Sequence, residues 1–287
     1  MISVIIPAYN EENAIGKTIE KIIGVLEQEN IAPFEILVVD DGSSDQTGEI
    51  ARSAGATVVR HPHNLGYGSA LKAGISKAAY ETILITDADL TYPADAIPHL
   101  LREYEEGFDM VVGARTGHYY SGSIFKGPLR YILKWLVEFV AGRDVPDANS
   151  GMRIFCKSTI EGYNAHLCDT FSFTTSLTLA YMLTGRFVSY IPIDYHLRVG
   201  RTKVRLFKDS LRTLQYIAQS IVYYNPIKFF VVVSGLCVLL SAISFLIGAV
   251  LGLRAPYFLG IGALLVALLV FCMGLLADLL RQILVKS

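Results

Sequence analysis

Thr82-Ile83-Leu84-Ile85-Thr86-Asp87-Ala88-Asp89-Leu90-Thr91-Tyr92-Pro93 holds the pattern from which the rest of the chain is read. An apolar, strand-like run delivers two carboxylates, one residue apart, to its C-terminal end. Neighbours in a strand point to opposite faces, so Asp87 and Asp89 are expected on one side. Carboxylates that close repel each other unless a cation lies between or beside them. Hard divalent ions take oxygen ligands, typically one or two carboxylates plus substrate phosphates. A strand end followed by a turn, where Asp and Pro are common, is the plainer alternative.

The surroundings favour a site. Residues 2–6, 34–39, 57–59, 82–86 and 110–112 read as strands. Between them, helical periodicity covers Ala14–Gln28, a segment starting near Gln46 with Ser44 or Asp45 as cap, Gly66–Ala79 and Ala94–Tyr104. This alternation predicts an α/β fold with a mostly parallel central sheet and helices on both faces. Ligands of open α/β sheets bind beyond the carboxyl ends of the strands. Pro7–Glu11, Asp40–Ser44 and Asp87–Asp89 all fall there, three polar clusters on one rim.

The 287 residues are 52% hydrophobic, too apolar for an ordinary soluble protein. The excess is concentrated in two charge-free runs, Phe229–Leu253 and Ala255–Ala277. Each exceeds the hydrocarbon core of about 30 Å at a rise of about 1.5 Å per residue. They predict a C-terminal two-helix transmembrane hairpin, about 227–253 and 255–280, with Gly252, Arg254 and Pro256 at its turn. Arg198, Arg201, Lys203, Arg205, Lys208, Arg212 and Lys228 precede the first span, and Arg281 and Lys286 follow the second. By the positive-inside rule the N-terminal domain and the C-terminus are expected in the cytoplasm. Met1 leads directly into a strand, so no signal peptide is expected. The formal net charge of −1 gives no reason to expect nucleic acid. Cys156, Cys168, Cys237 and Cys272 lack metal-binding spacing and read as reduced structural residues.

Residues 119–141 carry a broad apolar surface with Trp135, and Arg130 and Lys134 on one face, which reads as an interfacial amphipathic helix. A second such helix is expected over 204–226. The expected organisation is thus a catalytic domain over 1–203, a juxtamembrane helix over 204–226 and the hairpin over 227–287.

Val4-Ile5-Ile6-Pro7-Ala8-Tyr9-Asn10-Glu11, Val38-Val39-Asp40-Asp41-Gly42-Ser43-Ser44-Asp45, Asn64-Leu65-Gly66-Tyr67-Gly68 and Asp87-Ala88-Asp89 together resemble the family 2 glycosyltransferases over roughly the first 115 residues. Asn149-Ser150-Gly151-Met152-Arg153-Ile154-Phe155, Arg198-Val199-Gly200-Arg201-Thr202-Lys203 and the terminal spans look like the polyprenyl-phosphate subgroup. That subgroup includes dolichyl-phosphate mannosyltransferases and undecaprenyl-phosphate glucosyltransferases. The resemblance implies a GT-A nucleotide-sugar fold and inverting transfer of a hexose, of the UDP-glucose or GDP-mannose class, to a polyprenyl phosphate. It implies that Pro7, Ala8, Tyr9, Glu11 and Asp40, with Gly66 and Ala88, bind the nucleotide sugar. Asp87 and Asp89 would hold Mg²⁺ or Mn²⁺, while Arg115, Arg130, Arg198 and Lys203 would meet phosphate on the acceptor side. The implied partners are a nucleotide-sugar donor, a polyprenyl phosphate and the membrane, with a homo-oligomer left open. Two positions depart from the family pattern: Thr91 stands where many relatives have Gln, and Gly151 where some have Asp.

The chemistry tolerates the missing carboxylate at 151. A phosphate monoester with a second pKa near ~6 is mostly dianionic at pH 7 and already nucleophilic. His61, His63, His118 and His166 read as surface or packing residues rather than bases. Asp147 and Asn149 either line the acceptor side or belong to the loop alone, and Phe171–Ser176 either touches sugar or opens a helix. Asp87-x-Asp89-x-Thr91 also fits the nucleophile motif of a Mg²⁺-dependent phosphohydrolase, but that motif belongs after a first strand, not a fourth. A polysaccharide synthase would carry Gln-x-x-Arg-Trp, and Trp135 is the only tryptophan.

Overall fold

A computed structural model describes residues 1–117, 127–163, 167–170, 172–199, 214–215, 217–219 and 221–286. The start of the first amphipathic helix, most of the second, and Lys203 lie outside the described residues. The chain divides into two compact units, Met1–Ile217 and Ala218–Ser287.

The first unit is built on one seven-stranded sheet. Its strands are β1 (Ile2–Ala8), β2 (Phe34–Asp40), β3 (Thr57–Arg60), β4 (Thr82–Ile85), β5 (Met110–Thr116), β6 (Arg153–Cys156) and β7 (Val188–Asp194), in the order β3-β2-β1-β4-β6-β5-β7. All are parallel except β6, which runs antiparallel to both β4 and β5. Every residue of β1 is buried, as a central strand covered on both faces requires. The helix α1 (Ile15–Gln28) turns Ile15, Ile19, Ile22 and Leu26 inward at the three- and four-residue spacing of one helical face. They join Val4, Ile6, Val38 and Leu84 in one core. The helices α2 (Thr47–Ser53), α3 (Tyr67–Lys77) and α4 (Ile97–Glu105, behind a short 3₁₀ turn) complete the alternation.

Two expectations are corrected. β6 and β7 had not been assigned as strands, because each pairs across a long stretch of chain, β6 with β4 and β7 with β5. The strand carrying the acidic pair stops at Ile85. The expected cap is present at the start of α2: Asp45 accepts the Thr47 N–H (3.1 Å), and Glu12 accepts the Gln46 N–H (3.2 Å).

Beyond β5 come α5 (Gly127–Ala141), α6 (Lys157–Glu161) and α7 (Phe173–Leu183), the last almost wholly buried. On α5, Tyr131 is 72% and Trp135 55% exposed, so its aromatic residues are not all spent on the core.

The second unit is dominated by α8 (Pro226–Leu251) and α9 (Ala255–Lys286), both long and apolar enough to cross a membrane. They are joined by residues 252–254. Ser234 Oγ donates to Ala267 O (2.9 Å) and Ser241 Oγ to Gly260 O (2.8 Å), polar ties between neighbouring apolar helices. Their outer faces expose Leu236, Leu246, Phe258, Leu265 and Leu269, as lipid-facing surfaces do.

Candidate active site at the C-terminal rim of the sheet

The loops after β1 and β2 are sewn together. Asn10 N–H donates to Ser43 Oγ (3.0 Å), Ser44 N–H to Asn10 Oδ1 (2.8 Å) and Glu11 N–H to Thr47 Oγ1 (2.8 Å). Asn10 has φ +51°, a left-handed conformation that Asn tolerates better than most residues. Pro7 and Ala8 end β1 and are buried, and Ala8 O accepts the Asp41 N–H (2.8 Å). Asp40 is almost fully buried; it accepts the Ser43 N–H (2.9 Å) and lies 3.4 Å from Arg60 Nε. Its carboxylate therefore shapes the turn from within.

Asp41 holds a third loop. It accepts N–H groups from Leu65 and Gly66, both at 2.9 Å, and its Oδ1 lies 2.7 Å from His61 Nδ1. At Gly42 (φ +73°) a Cβ would lie 2.5 Å from the His63 carbonyl carbon, so glycine alone permits the two loops to meet. Gly66 thus opens α3 from a fixed point, and Tyr67, its first residue, donates its hydroxyl to Asp87 Oδ1 (3.0 Å).

Asp87 and Asp89 lie past the end of β4, so strand alternation does not bring them together; a bend does. Leu90 has φ +64°, uncommon for a side chain without a local hydrogen-bonding group and often found at functional sites. The bend returns Thr91 onto Asp89, with Thr91 Oγ1 donating at 2.5 Å and Thr91 N–H at 3.1 Å to Oδ1. Thr91 is therefore the holder of Asp89. Behind the bend, Thr18 Oγ1 donates to Ala88 O (3.0 Å). Burial and then the neighbouring Asp89 raise the Asp87 carboxyl from the usual 3.8 to about 6, against the opposing pull of the Tyr67 hydrogen bond, Arg115 and Arg198.

Arg198 joins the strand motifs to the later part of the chain. Its Nη2 donates to Glu11 Oε1 (3.0 Å), and its Nε lies 3.2 Å from Asp89 Oδ2 without hydrogen-bond alignment. The backbone beside it is fixed to the same bend, His196 N–H on Thr91 O (2.9 Å) and Val199 N–H on Asp89 O (3.2 Å).

Arg115, near the end of β5, is forked onto Asp147: Nε to Oδ2 at 2.7 Å and Nη2 to Oδ1 at 2.9 Å. Burial pushes the Asp147 carboxyl up, but this guanidinium and the N–H groups of Arg115 and Asn149 hold it below the usual range. Arg115 also lies over the Tyr195 ring, 5.5 Å from its centre. Arg130 falls within α5, but its side chain lies outside the described residues, as does Lys203.

The segment 147–152 reaches the site because β6 is reversed. A Cβ on Gly151 would lie 2.8 and 2.9 Å from the two Asp87 carboxylate oxygens, so a side chain there cannot coexist with Asp87 as placed. Gly151 N–H donates to Tyr92 Oη (2.6 Å). Arg153, fully buried, clamps the segment by donating to Ser150 O through Nε (3.1 Å) and Nη2 (2.6 Å), and to Thr174 O and Thr178 Oγ1 (both 3.1 Å) on α7. Asp41, Tyr67, Tyr92 and Arg153 were not singled out from the sequence. Tyr67 lay inside the quoted Gly66-Tyr67-Gly68 motif, and the buried cation of Arg153 inside Ser150-Gly151-Met152-Arg153, but neither shows its partner in one dimension.

Among the described residues no group of three His, Cys, Asp or Glu side chains gathers as a ready metal cage. The donor set of Asp87 and Asp89 still fits a hard divalent cation. Their mutual repulsion is resolved by positive charge, and Mg²⁺ sites characteristically use one or two carboxylates plus substrate oxygens.

A mostly parallel sheet with one reversed strand beside β4, and an acidic pair beyond β4, defines a glycosyltransferase of the GT-A architecture. Residues 3–162 match the family described as Glycosyl transferase family 2, and the chain belongs to that family. It is 29% identical over 303 aligned positions to the undecaprenyl-phosphate 4-deoxy-4-formamido-L-arabinose transferase of Serratia proteamaculans, covering 98% of this chain and 89% of that one. It is 29% identical to the dolichyl-phosphate hexose transferase of Haloferax volcanii, over 72% of this chain and 87% of the other. Among solved structures, glucosyl-3-phosphoglycerate synthase of Mycobacterium tuberculosis, in complex with Mn²⁺, UDP-glucose and phosphoglyceric acid, superposes with a TM-score of 0.64 at 19% identity. That likeness covers 77% of this chain and 79% of the other and concerns the fold.

Proposed function

We propose that this glycosyltransferase moves one sugar from a nucleoside-diphosphate sugar to the phosphate of a polyprenyl phosphate, inverting the anomeric carbon. The observation that carries the reading is the Arg198 bridge. A cation from the late, basic segment is held on Glu11 and Asp89, which belong to the motifs of the nucleotide half. Donor-side and acceptor-side residues thus meet at one point. The alignment to the Serratia relative, which runs through the apolar hairpin, supports a lipid acceptor.

In this reading Pro7, Ala8, Tyr9, Glu11, Gly66 and Ala88 line the nucleotide-sugar pocket, and Asp40 shapes it from behind. Asp87 and Asp89 would hold Mg²⁺ or Mn²⁺, which supplies Lewis-acid stabilisation of the departing diphosphate. Arg198, Arg130 and Lys203 receive the acceptor phosphate, and Arg115, forked onto Asp147, fixes the loop beside it. Guanidinium groups align phosphate oxygens well, and positioning supplies much of the acceleration. The dianionic phosphate attacks without a protein base. Close packing of Gly151 on Asp87 fits that, since a side chain at 151 would require the Asp87 carboxylate to move.

The exposed Tyr131 and Trp135 of α5, with Lys134 on the same helix, suit an interface between headgroups and acyl chains. The distribution of Lys and Arg around α8 and α9 supports a cytoplasmic catalytic domain and C-terminus. The donor is proposed as a hexose of the UDP-glucose or GDP-mannose class. The test is to incubate membranes containing the full chain with labelled UDP- and GDP-sugars, a 4-modified pentose included, plus undecaprenyl or dolichyl phosphate. Label moving into an organic-extractable, mild-acid-labile product is the expected result. Label released only as free sugar, or moved to a water-soluble acceptor, overturns the reading.

A further inference from the structure

We propose that Tyr67 is the positioning residue that aims Asp87 at a divalent cation, an inference resting on the cation reading above. The two carboxylates are held by different means. Asp89 is fixed within its own turn by Thr91 and from outside by Arg198. Asp87 has no such local holder. Among the described residues its hydrogen bond is from Tyr67 Oη to Oδ1, and no donor reaches Oδ2. On its other side the Cα face of Gly151 closes over both oxygens. Asp87 is thus gripped between a hydroxyl and a backbone, with Oδ2 taken by no hydrogen-bond donor among the described residues.

The hydroxyl is itself placed from a distance. Tyr67 is the first residue of α3, and the two residues before it, Leu65 and Gly66, are fixed by N–H bonds to Asp41. A hydroxyl that donates to one carboxylate oxygen fixes the side-chain rotamer and leaves the other oxygen its full charge. Partners that orient metal ligands in this way are worth about 10–100-fold in metal affinity.

The experiment measures Mn²⁺ binding to the purified full chain by electron paramagnetic resonance, with UDP and, separately, GDP present and no sugar donor. Tyr67→Phe is expected to weaken Mn²⁺ binding about 10-fold, the lower end of what partners of metal ligands contribute. Tyr181→Phe removes a buried hydroxyl that makes no hydrogen bond among the described residues and is expected to leave binding unchanged. In an Asp87→Asn background, Tyr67→Phe should weaken residual binding no further. Should Tyr67→Phe fail to fold, Asp41→Asn loosens the start of α3 and is expected to weaken binding several-fold. Unchanged binding in the folded variant, or an equal loss in both backgrounds, overturns the role of Tyr67 alone. A wild-type chain that takes up no Mn²⁺ with either nucleotide overturns the cation reading as well.

Discussion

Arg198 and Glu11 are 187 positions apart, yet Nη2 of the first donates to Oε1 of the second across 3.0 Å. The same guanidinium lies 3.2 Å from Asp89 through a different nitrogen. Lysine offers a point charge and cannot span two carboxylates from separate edges of a planar group. Arg198→Lys should therefore lower kcat/KM by about 10–100-fold, the worth of one charge-assisted hydrogen bond. Initial rates with polyprenyl phosphate as the varied substrate check this, and near-wild-type kinetics would show that a single charge suffices.

Asp89→Ala should reduce transfer by about 10³-fold or more while the fold survives, since it removes an anchor for a cation worth several kcal/mol of charge stabilisation. The assay is product formation, with thermal unfolding as the check on folding. Retained turnover excludes Asp89 from the metal role.

Gly151→Ala places a methyl group against the Asp87 carboxylate, where 2.8 Å separates the expected Cβ from Oδ1. The carboxylate has to move, and a displacement near 1 Å costs about 10²-fold in rate. The loss should fall on kcat rather than on donor KM. Gly151→Asp should be no better, despite offering a base.

Arg130→Ala should raise KM for polyprenyl phosphate by about 10-fold, the worth of a charge-assisted contact, and leave nucleotide-sugar binding nearly unchanged. Equal losses on both substrates would move Arg130 away from the acceptor.

The Asp87 carboxyl, raised from 3.8 to about 6 by burial and by Asp89, gives a stability prediction for the metal-free protein. Below pH 3.8 the group is protonated in folded and unfolded chains alike and contributes nothing. Between 3.8 and about 6 the folded state holds the extra proton, so stability falls as pH rises. Above 6 the full cost of the buried charge is present. Asp87→Asn should stabilise the metal-free protein at pH 7.5 by on the order of 1–3 kcal/mol, with the gain vanishing near pH 4. Melting temperatures across that range check the sign.

The strands β1 to β5 and the rim clusters were legible because burial on both faces imposes continuous apolar runs, and the turns after them carry polar residues in recurring order. What stayed hidden depends on contacts across long separations. Nothing local marks Arg153–Cys156 as a reversed strand; its pairing with β4 makes it one. The sequence shows two aspartates spaced as on a strand face, whereas the strand ends at Ile85 and Leu90 at positive φ turns Thr91 back onto Asp89. Tyr67 and Asp87 are 20 positions apart, and periodicity does not report side-chain hydrogen bonds at that range. Arg115 was legible as a cation but not as the partner of Asp147, 32 positions on.

The reversal of β6 also decides which lengths of chain meet at the rim. The clusters Pro7–Glu11, Asp40–Ser44 and Asp87–Asp89 belong to chain completed before residue 93, whereas the 147–152 segment, which leads into the reversed β6, and Arg198, which follows β7, come later. Within the sheet these two lengths of chain meet at β4 against β6, and outside it they are tied by Arg198 to Glu11, by Lys72 to Asp169 and by one shared core.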